Sequence, residues 1–374
     1  MAKDINKIAF DKATKLKLSI FRECFKEWLP VFIHNQFVKR NFIYDFFSGS
    51  GKDKEGNPGS PIILLEEAMG ENQMYCSKST KNHVVFAFNE KMKRKSQVLQ
   101  ENIDDHIENC LKNCGRDECV YNRHVGNYDF KETLERPNLK QILKDPQYGK
   151  FILLDQYGFN QVDNDVFLTL VNSPKTDFIF FISSSFVRRF KEHEYTKKYI
   201  ETHKMDFDES KPKECHQILA DYFRDLIPKS KEYYLHHFTI KKGSNYYGLI
   251  FGSGHTFGME KFLKVCWEKD KMSGESNFNI NYDFEPNTLF YTEENTVKII
   301  KFKNELTKKI LEGEIKTNLE GMKYALKSGV PTKAFVEVMS DIKDKVNIQG
   351  KFNKKCTNIH RLKDEDLYQI QITK

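Results

Sequence analysis

From residue 12 to 35 (KATKLKLSIFRECFKEWLPVFIHN) apolar positions recur every three and four residues, which predicts an amphipathic helix. After it, short blocks of nearly unbroken apolar residues alternate with longer helical stretches. The blocks are Phe42 to Phe47, His83 to Phe88, a weaker Cys119 to Val125, then Phe151 to Leu154 and Asp177 to Ile182. The stretches between them include Gly59 to Met69, opening at Ser60-Pro61 where proline suits a first helical turn, and Lys91 to Cys110. A strand apolar on both sides must be covered on both faces, so this alternation predicts an α/β fold with a parallel sheet between helical layers. Near residue 233 the pattern changes. Tyr233 to Ile240 and Tyr246 to Phe251 flank the glycine-containing turn KKGSN, predicting an antiparallel hairpin that closes the sheet, and Met259 to Lys271 predicts a helix.

Residues 272–296, rich in Ser, Asn, Asp and Glu, read as a linker. The organisation expected is therefore a domain at 1–271, the linker, and a small domain at 297–374. In the small domain, helices are predicted at Val297 to Leu311, at Asn318 to Lys327 (Asn318 as cap, Gly329 as stop) and at Pro331 to Val346. Two short strands around a polar, lysine-bearing loop follow. Helix, turn, helix and hairpin is the order of a winged helix-turn-helix.

Charge sharpens this division. From Val297 onward there are 17 Lys and Arg against 10 Asp and Glu, whereas the first 296 residues balance at 43 each, so the whole excess of +7 lies in the last fifth of the chain. Two readings stand side by side. The lysines form a solvated helical face, or Lys333 on the third helix and Lys351, Lys354 and Lys355 on the wing contact nucleic acid, DNA or RNA. Domains of this kind also mediate protein contacts.

The rest of the composition excludes several classes. With 31 Phe and 17 Tyr the chain has ample material for a core. No apolar run reaches the 18 residues of a membrane span, and the opening MAKDINKIAFDKATK lacks the apolar centre of a signal peptide. A soluble, cytoplasmic protein with no membrane partner is expected, and its eight cysteines are expected to be thiols rather than a disulfide framework.

The chemistry concentrates in FIYDFFSGSGKDKEGNPGSP, where the first strand empties into a glycine loop. A P-loop would need glycine five residues before Gly51, where Phe46 stands, and Ser or Thr after Lys52, where Asp53 stands. A dinucleotide fingerprint would need a third glycine at Lys54 and a helix directly after it. The remaining reading is D-x-F-x-G-x-G, in which Asp45 ends the strand, Phe46 follows it, and Gly49 and Gly51 let the backbone approach a ligand. The later strands also end on acids: Glu90 in FAFNEK, Asp129 in GNYDF and Asp155 in FILLDQYGF. One acid at a strand end is ordinary. Four in succession, at the carboxyl ends where open α/β sheets bind ligands, point to a shared site.

The order YDFFSGSG, GSPIILLEEA, FAFNEK, GNYDF, FILLDQYGF and a hairpin ending LIFGSGH resembles the three-Cys-motif partner (TcmP) family across residues 10 to 270. The resemblance implies a Rossmann-like class I methyltransferase sheet and an S-adenosylmethionine cofactor. It implies that Asp45, Phe46, Gly49 and Gly51 meet the methionine end, Glu90 the ribose and Asp129 the adenine. Family members are encoded beside a protein bearing three cysteines, a candidate partner. The family's Asp-Pro-Tyr-Gly after the fourth strand resembles the signature of amino-methyltransferases, in which the acid accepts a hydrogen bond from the target amine and the aromatic ring stacks on the base. Here Asp155 and Tyr157 keep both roles while Gln156 replaces the proline. The expected function is methyl transfer on or near nucleic acid. The alternative is a catalytically silent partner that recruits a neighbouring radical-type, three-cysteine enzyme to nucleic acid.

Three further clusters lie outside these strand ends. Cys110, Cys114, Cys119 and His124 form Cys-x3-Cys-x4-Cys-x4-His, a spacing that matches no common zinc or iron–sulfur layout, so free thiols and no metal are expected. His236 and His237, adjacent on a strand, are expected to point to opposite faces and not to share an ion. Arg188, Arg189 and Lys191 read as a solvated helix start or a phosphate contact.

Overall fold

The computed structural model describes residues 8–70, 74–78, 83–207, 211–286, 288–290, 292 and 296–372. Residues 1–7, and residues 287, 291 and 293–295 of the expected linker, lie outside the described residues. The chain divides into two compact units, Met1–Tyr233 with Ile240–Gly254, and Tyr234–Thr239 with His255–Lys374.

The sheet holds β1 (Arg40–Asp45), β2 (Val84–Asn89), β3 (Asn122–Gly126), β4 (Tyr148–Leu154), β5 (Thr176–Ile182), β6 (Tyr234–Lys242) and β7 (Asn245–Ser253). Their order is β3-β2-β1-β4-β5-β7-β6. β1 to β5 pair in parallel, and β7 runs antiparallel to β5. The chain winds outward from β1 to β3, then returns to place β4 on the other side of β1. β1 and β4 therefore flank the point where the winding reverses, beside whose carboxyl ends open α/β sheets bind ligands. Almost every residue of β1, β4 and β5 is buried, as their apolar sequences require, whereas β3 at the sheet edge is half exposed and correspondingly weak in pattern.

The amphipathic helix Lys12–Ile33 starts at Asp11, whose Oδ1 accepts the Thr14 N–H at 2.9 Å. It buries Phe21, Phe25, Trp28 and Leu29, and Phe25 and Trp28 pack on Phe151 of β4 with ring centroids 5.3 and 5.4 Å apart. Burial of each such aromatic stabilises the fold by about 1.5–3 kcal/mol. Trp28 Nε1 also donates to buried Asp177 at the start of β5, 2.9 Å away. The helix expected at 91–110 is Lys93–Cys114, beginning two residues later and ending four residues later, and it stops on left-handed Gly115 (φ 67°).

In the second unit, helices Thr256–Lys269, Val297–Leu311, Asn318–Lys327 and Lys333–Ile342 precede an antiparallel pair, β8 (Val346–Gln349) and β9 (Gln369–Ile372). Phe302, Leu306, Met322, Phe335, Met339 and Ile342 form its core. Thr256–Lys269 counts with this unit, although the sequence reading puts it in the first domain, and Trp267 Nε1 donates to Gly329 O at 3.1 Å. Thr317, not Asn318, caps the helix Asn318–Lys327, in a reciprocal box with Glu320. Asn318 is buried instead, donating to Asp366 O (2.8 Å) and accepting the Tyr368 N–H (3.1 Å), which ties the helix to the segment before β9.

One close approach decides an identity in β7. His216, on helix Cys215–Asp225, is fully buried and bonded through Nδ1 to Ser184 Oγ (2.7 Å) and through Nε2 to Leu249 O (3.2 Å). Held at both ends, its ring lies so near Gly248 that a Cβ there would come within 1.8 Å of it. Gly248→Ala is therefore expected to destabilise the protein by about 1–3 kcal/mol or more. Urea denaturation would test this, and a change below about 0.5 kcal/mol would show that the ring can step aside.

Candidate functional site

β1 ends in Asp45, which has no solvent exposure. Its Oδ2 accepts the Ser60 hydroxyl at 2.7 Å and its Oδ1 the Phe47 N–H at 3.2 Å, so the start of helix Ser60–Met69 is tied to the end of the strand. Burial pushes the Asp45 carboxyl up to about 7. The hydrogen bond from Ser60 opposes the rise and the negative Asp155 adds to it. Phe46 turns its ring into the core against Tyr44 and Phe130, both at 5.2 Å, and its N–H donates to Leu153 O at 3.2 Å, so its ring is not presented to a ligand.

The loop beyond is closed on itself. Gly49 and Gly51 are left-handed (φ 61° and 81°), and Gly51 O accepts the Gly59 N–H at 2.7 Å. Asp53, the residue that breaks the P-loop pattern, is buried and staples the excursion. Its oxygens accept the N–H groups of Phe10, Glu55 and Asn57 and the Asn57 side-chain amide, all at 2.8–2.9 Å.

At the next strand ends Asn89 does the tying. Its amide donates to Tyr128 O (3.0 Å) and Phe46 O (3.4 Å), and its Oδ1 accepts the Tyr128 N–H (3.1 Å). Glu90, half-buried, accepts the Met92 N–H on Oε1 at 2.8 Å, and its Oε2 has no partner among the described residues. Asp129 is differently employed. Oδ1 caps helix Phe130–Glu135 by accepting the Lys131 and Glu132 N–H groups, and Oδ2 takes the Lys91 ammonium at 2.8 Å. The Lys91 hydrogen bond, aided by the helix amides, holds this carboxyl below its usual range.

After β4, both Asp155 oxygens accept from Lys17 Nζ, at 2.5 and 2.6 Å, in a largely buried pair, and the ammonium lies 4.8 Å from the Phe181 ring. Gln156 is buried. Its Oε1 accepts the Gln161 and Val162 N–H groups at 2.9 and 3.3 Å, while its Nε2 has no partner. A side-chain clasp thus does the stiffening that proline would do. Tyr157 is 65% exposed and followed by left-handed Gly158.

Asp45, the glycine loop, Glu90, Asp129 and Asp155 therefore share the carboxyl edge of one sheet, as expected from their strand-end positions. Sequence reasoning missed Lys17, Asp53, Ser60 and Asn89. Lys17 alone left a signal, a charge on the helix face otherwise occupied by Phe21, Cys24 and Trp28.

Other residues fall elsewhere. In the second unit Lys351, Lys354 and Lys355 are exposed in the connection between β8 and β9, while Lys333 pairs with Glu337 at 3.3 Å. His236 and His237 do not diverge as expected. Their ring centroids are 5.4 Å apart, and with Glu275 they bring three possible ligand atoms within 4.8 Å of one another. Lys298 already pairs with Glu275 at 2.6 Å. In the first unit, Arg189 serves a structural purpose, donating to Ser185 O and Asn245 Oδ1. His124 is exposed on β3, away from a small cavity lined by Cys110, Cys114, Cys119 and Cys76. Among the described residues no helix is long and apolar enough to cross a membrane.

No family model matches the chain, and no curated protein matches it. Among solved structures it is similar to protein LPL1258 from Legionella pneumophila (12% identity, 64% of this chain and 86% of that one, TM-score 0.37). It is also similar to a human methyltransferase 10 domain containing protein (9%, 63% and 83%, TM-score 0.28). A third is precorrin-6y C5,15-methyltransferase from Geobacter metallireducens (9%, 67% and 91%, TM-score 0.28). Superpositions this loose leave the site to be read from its own geometry.

The Asp45 carboxyl carries a stability consequence. Between the ordinary 3.8 and about 7 the unfolded chain ionises this group while the folded chain keeps it protonated, so stability falls as pH rises through that window. Asp45→Asn removes the penalty and is expected to stabilise the fold by up to roughly 4 kcal/mol at pH 8, with the gain vanishing near pH 4. Urea melts at the two pH values would check it. An equal effect at both would mean that ionisation of Asp45 is not the cause.

Proposed function

We propose that this chain is an S-adenosylmethionine-dependent methyltransferase-like protein that acts on or near nucleic acid. The observation that carries the reading is the buried Asp45 beside the left-handed Gly49–Gly51 loop at the point where the winding reverses, next to a free Glu90 oxygen. These residues fit the cofactor. A cationic ligand favours ionised Asp45, the two glycines admit close backbone approach, and Glu90 Oε2 can accept from a ribose hydroxyl. S-adenosylmethionine, when bound, supplies a methyl group on a positively charged sulfur. In this reading Asp129 reaches an adenine amino group through Oδ2, exchanging Lys91 for it. Asp155 accepts a hydrogen bond from an acceptor amine, exchanging Lys17 for it, and the exposed Tyr157 ring stacks on the acceptor base. The tail acts as a winged helix, with the lysines of the β8–β9 connection against phosphates.

A second reading, that of a silent member of the same fold recruiting a three-cysteine enzyme to nucleic acid, is favoured by the Lys17–Asp155 pair, which occupies both oxygens of the proposed acceptor-binding acid. Cofactor binding without methyl transfer on any nucleic acid would select it.

Calorimetry on the whole chain is expected to find one site for S-adenosylmethionine. Glu90→Ala should weaken it by about 1–3 kcal/mol. Affinity should rise with pH through about 7, because the cationic ligand binds best once the Asp45 proton has left, by up to about tenfold per pH unit below that value. The demethylated product, lacking the sulfonium charge, should show less of this dependence. No binding of either ligand at millimolar concentration would remove the reading.

Nucleic-acid binding is expected to weaken with salt at a log–log slope of about −0.9 per phosphate contacted on duplex DNA. Changing Lys351, Lys354 and Lys355 together to Ala should flatten the slope by up to about three units, and Lys333→Ala should lower affinity. Cofactor binding should be unaffected by either change. Indifference of the chain to DNA and RNA at low salt would leave these lysines as a solvated face.

A further inference from the structure

Four of the eight cysteines converge on one cavity in the first unit, and they come from three separate segments. Cys110 and Cys114 lie one turn apart at the end of helix Lys93–Cys114, Cys119 lies in the connection to β3, and Cys76 lies on the short helix Met74–Lys78. Sequence spacing groups only the first three, with His124, and predicts no metal there. Cys76, remote in the chain, takes the fourth place. We propose that Cys76, Cys110, Cys114 and Cys119 form a structural site for a single zinc ion.

The segments joined here gain from such a tie. No residue from Leu111 to Val120 is buried, and none of Met74, Tyr75 and Cys76 is, so these pieces themselves bury little against Ile107 at the end of the long helix. A structural metal supplies folding energy where a core cannot. The cavity has about 20 Å³, room for one ion but not for an iron–sulfur cluster. A tetrathiolate zinc centre carries a net charge of −2, and Arg116, which lines the same cavity and donates Nη1–H to Cys76 O at 3.1 Å, offsets part of it.

The sulfurs stand farther apart than in a loaded site, since among the described residues only His236, His237 and Glu275 bring three ligand atoms within 4.8 Å. Binding would release the thiol protons and draw the sulfurs in to about 3.8 Å, the edge of a tetrahedron with 2.3 Å Zn–S bonds.

The test uses the full chain, reduced and stripped of metal by a chelator, titrated with Co²⁺ and then Zn²⁺. One Co²⁺ per chain is expected, with the intense visible bands of a tetrahedral site and sulfur-to-cobalt charge transfer, displaced by one equivalent of Zn²⁺. Cys76→Ser should weaken Zn²⁺ binding at least about tenfold, and His124→Ala should not change it. No binding at micromolar metal, or cobalt spectra without charge transfer, would overturn the proposal, whether or not the serine variant folds. So would full binding by Cys76→Ser, or loss of binding in the His236→Ala/His237→Ala double variant, which would put the ion on the other cluster.

Discussion

The candidate site depends on one buried carboxyl. Asp45 sits where β1 and β4 adjoin, cut off from water, and its oxygens take the Ser60 hydroxyl and the Phe47 amide. A charge buried there is costly, so the fold holds the group near neutrality. It thereby keeps a carboxyl that a cationic ligand can draw into its charged form. The same contacts set the loop, because fixing Ser60 to Asp45 leaves residues 46–59 to close between two anchored ends. Left-handed Gly49 and Gly51 and the Asp53 staple are how that closure is achieved without strain.

Around this point the strand ends are joined by side chains rather than by the sheet ladder. Asn89 connects the ends of β1, β2 and β3, and the Gln156 clasp shapes the turn after β4. Lys17 reaches from the first helix to Asp155. Each tie commits to structure a polar group placed where a ligand would bind. Asp129 and Asp155 are both fully engaged, whereas Glu90 retains a free oxygen. Ligand contact at the first two requires an exchange of partners, and at Glu90 it does not.

Much of this was legible in the sequence. Blocks of apolar residues located all seven strands because a sheet covered on both faces admits little else, and β3, exposed at an edge, was correspondingly faint. The acids at four strand ends were visible for the same reason, since the residue that leaves a buried strand is the first free to be polar. Their partners were not. Hydrogen bonds from Lys17 to Asp155 and from Asn89 to Tyr128 span 138 and 39 residues, and no local pattern encodes such a pairing.

The amino-acid sequence by itself determined the elements, their alternation, the acidic strand ends and the concentration of positive charge after residue 296, because periodicity and composition are local properties. Tertiary structure alone decided which of those acids is free, that His236 and His237 approach each other, and that Cys76 rather than His124 completes the cysteine cavity. It also decided that β7 must carry Gly248 where the His216 ring lies. The reason is physical. Burial and contact are set by what packs from far along the chain, and a side chain's role follows from that packing more than from its neighbours in sequence.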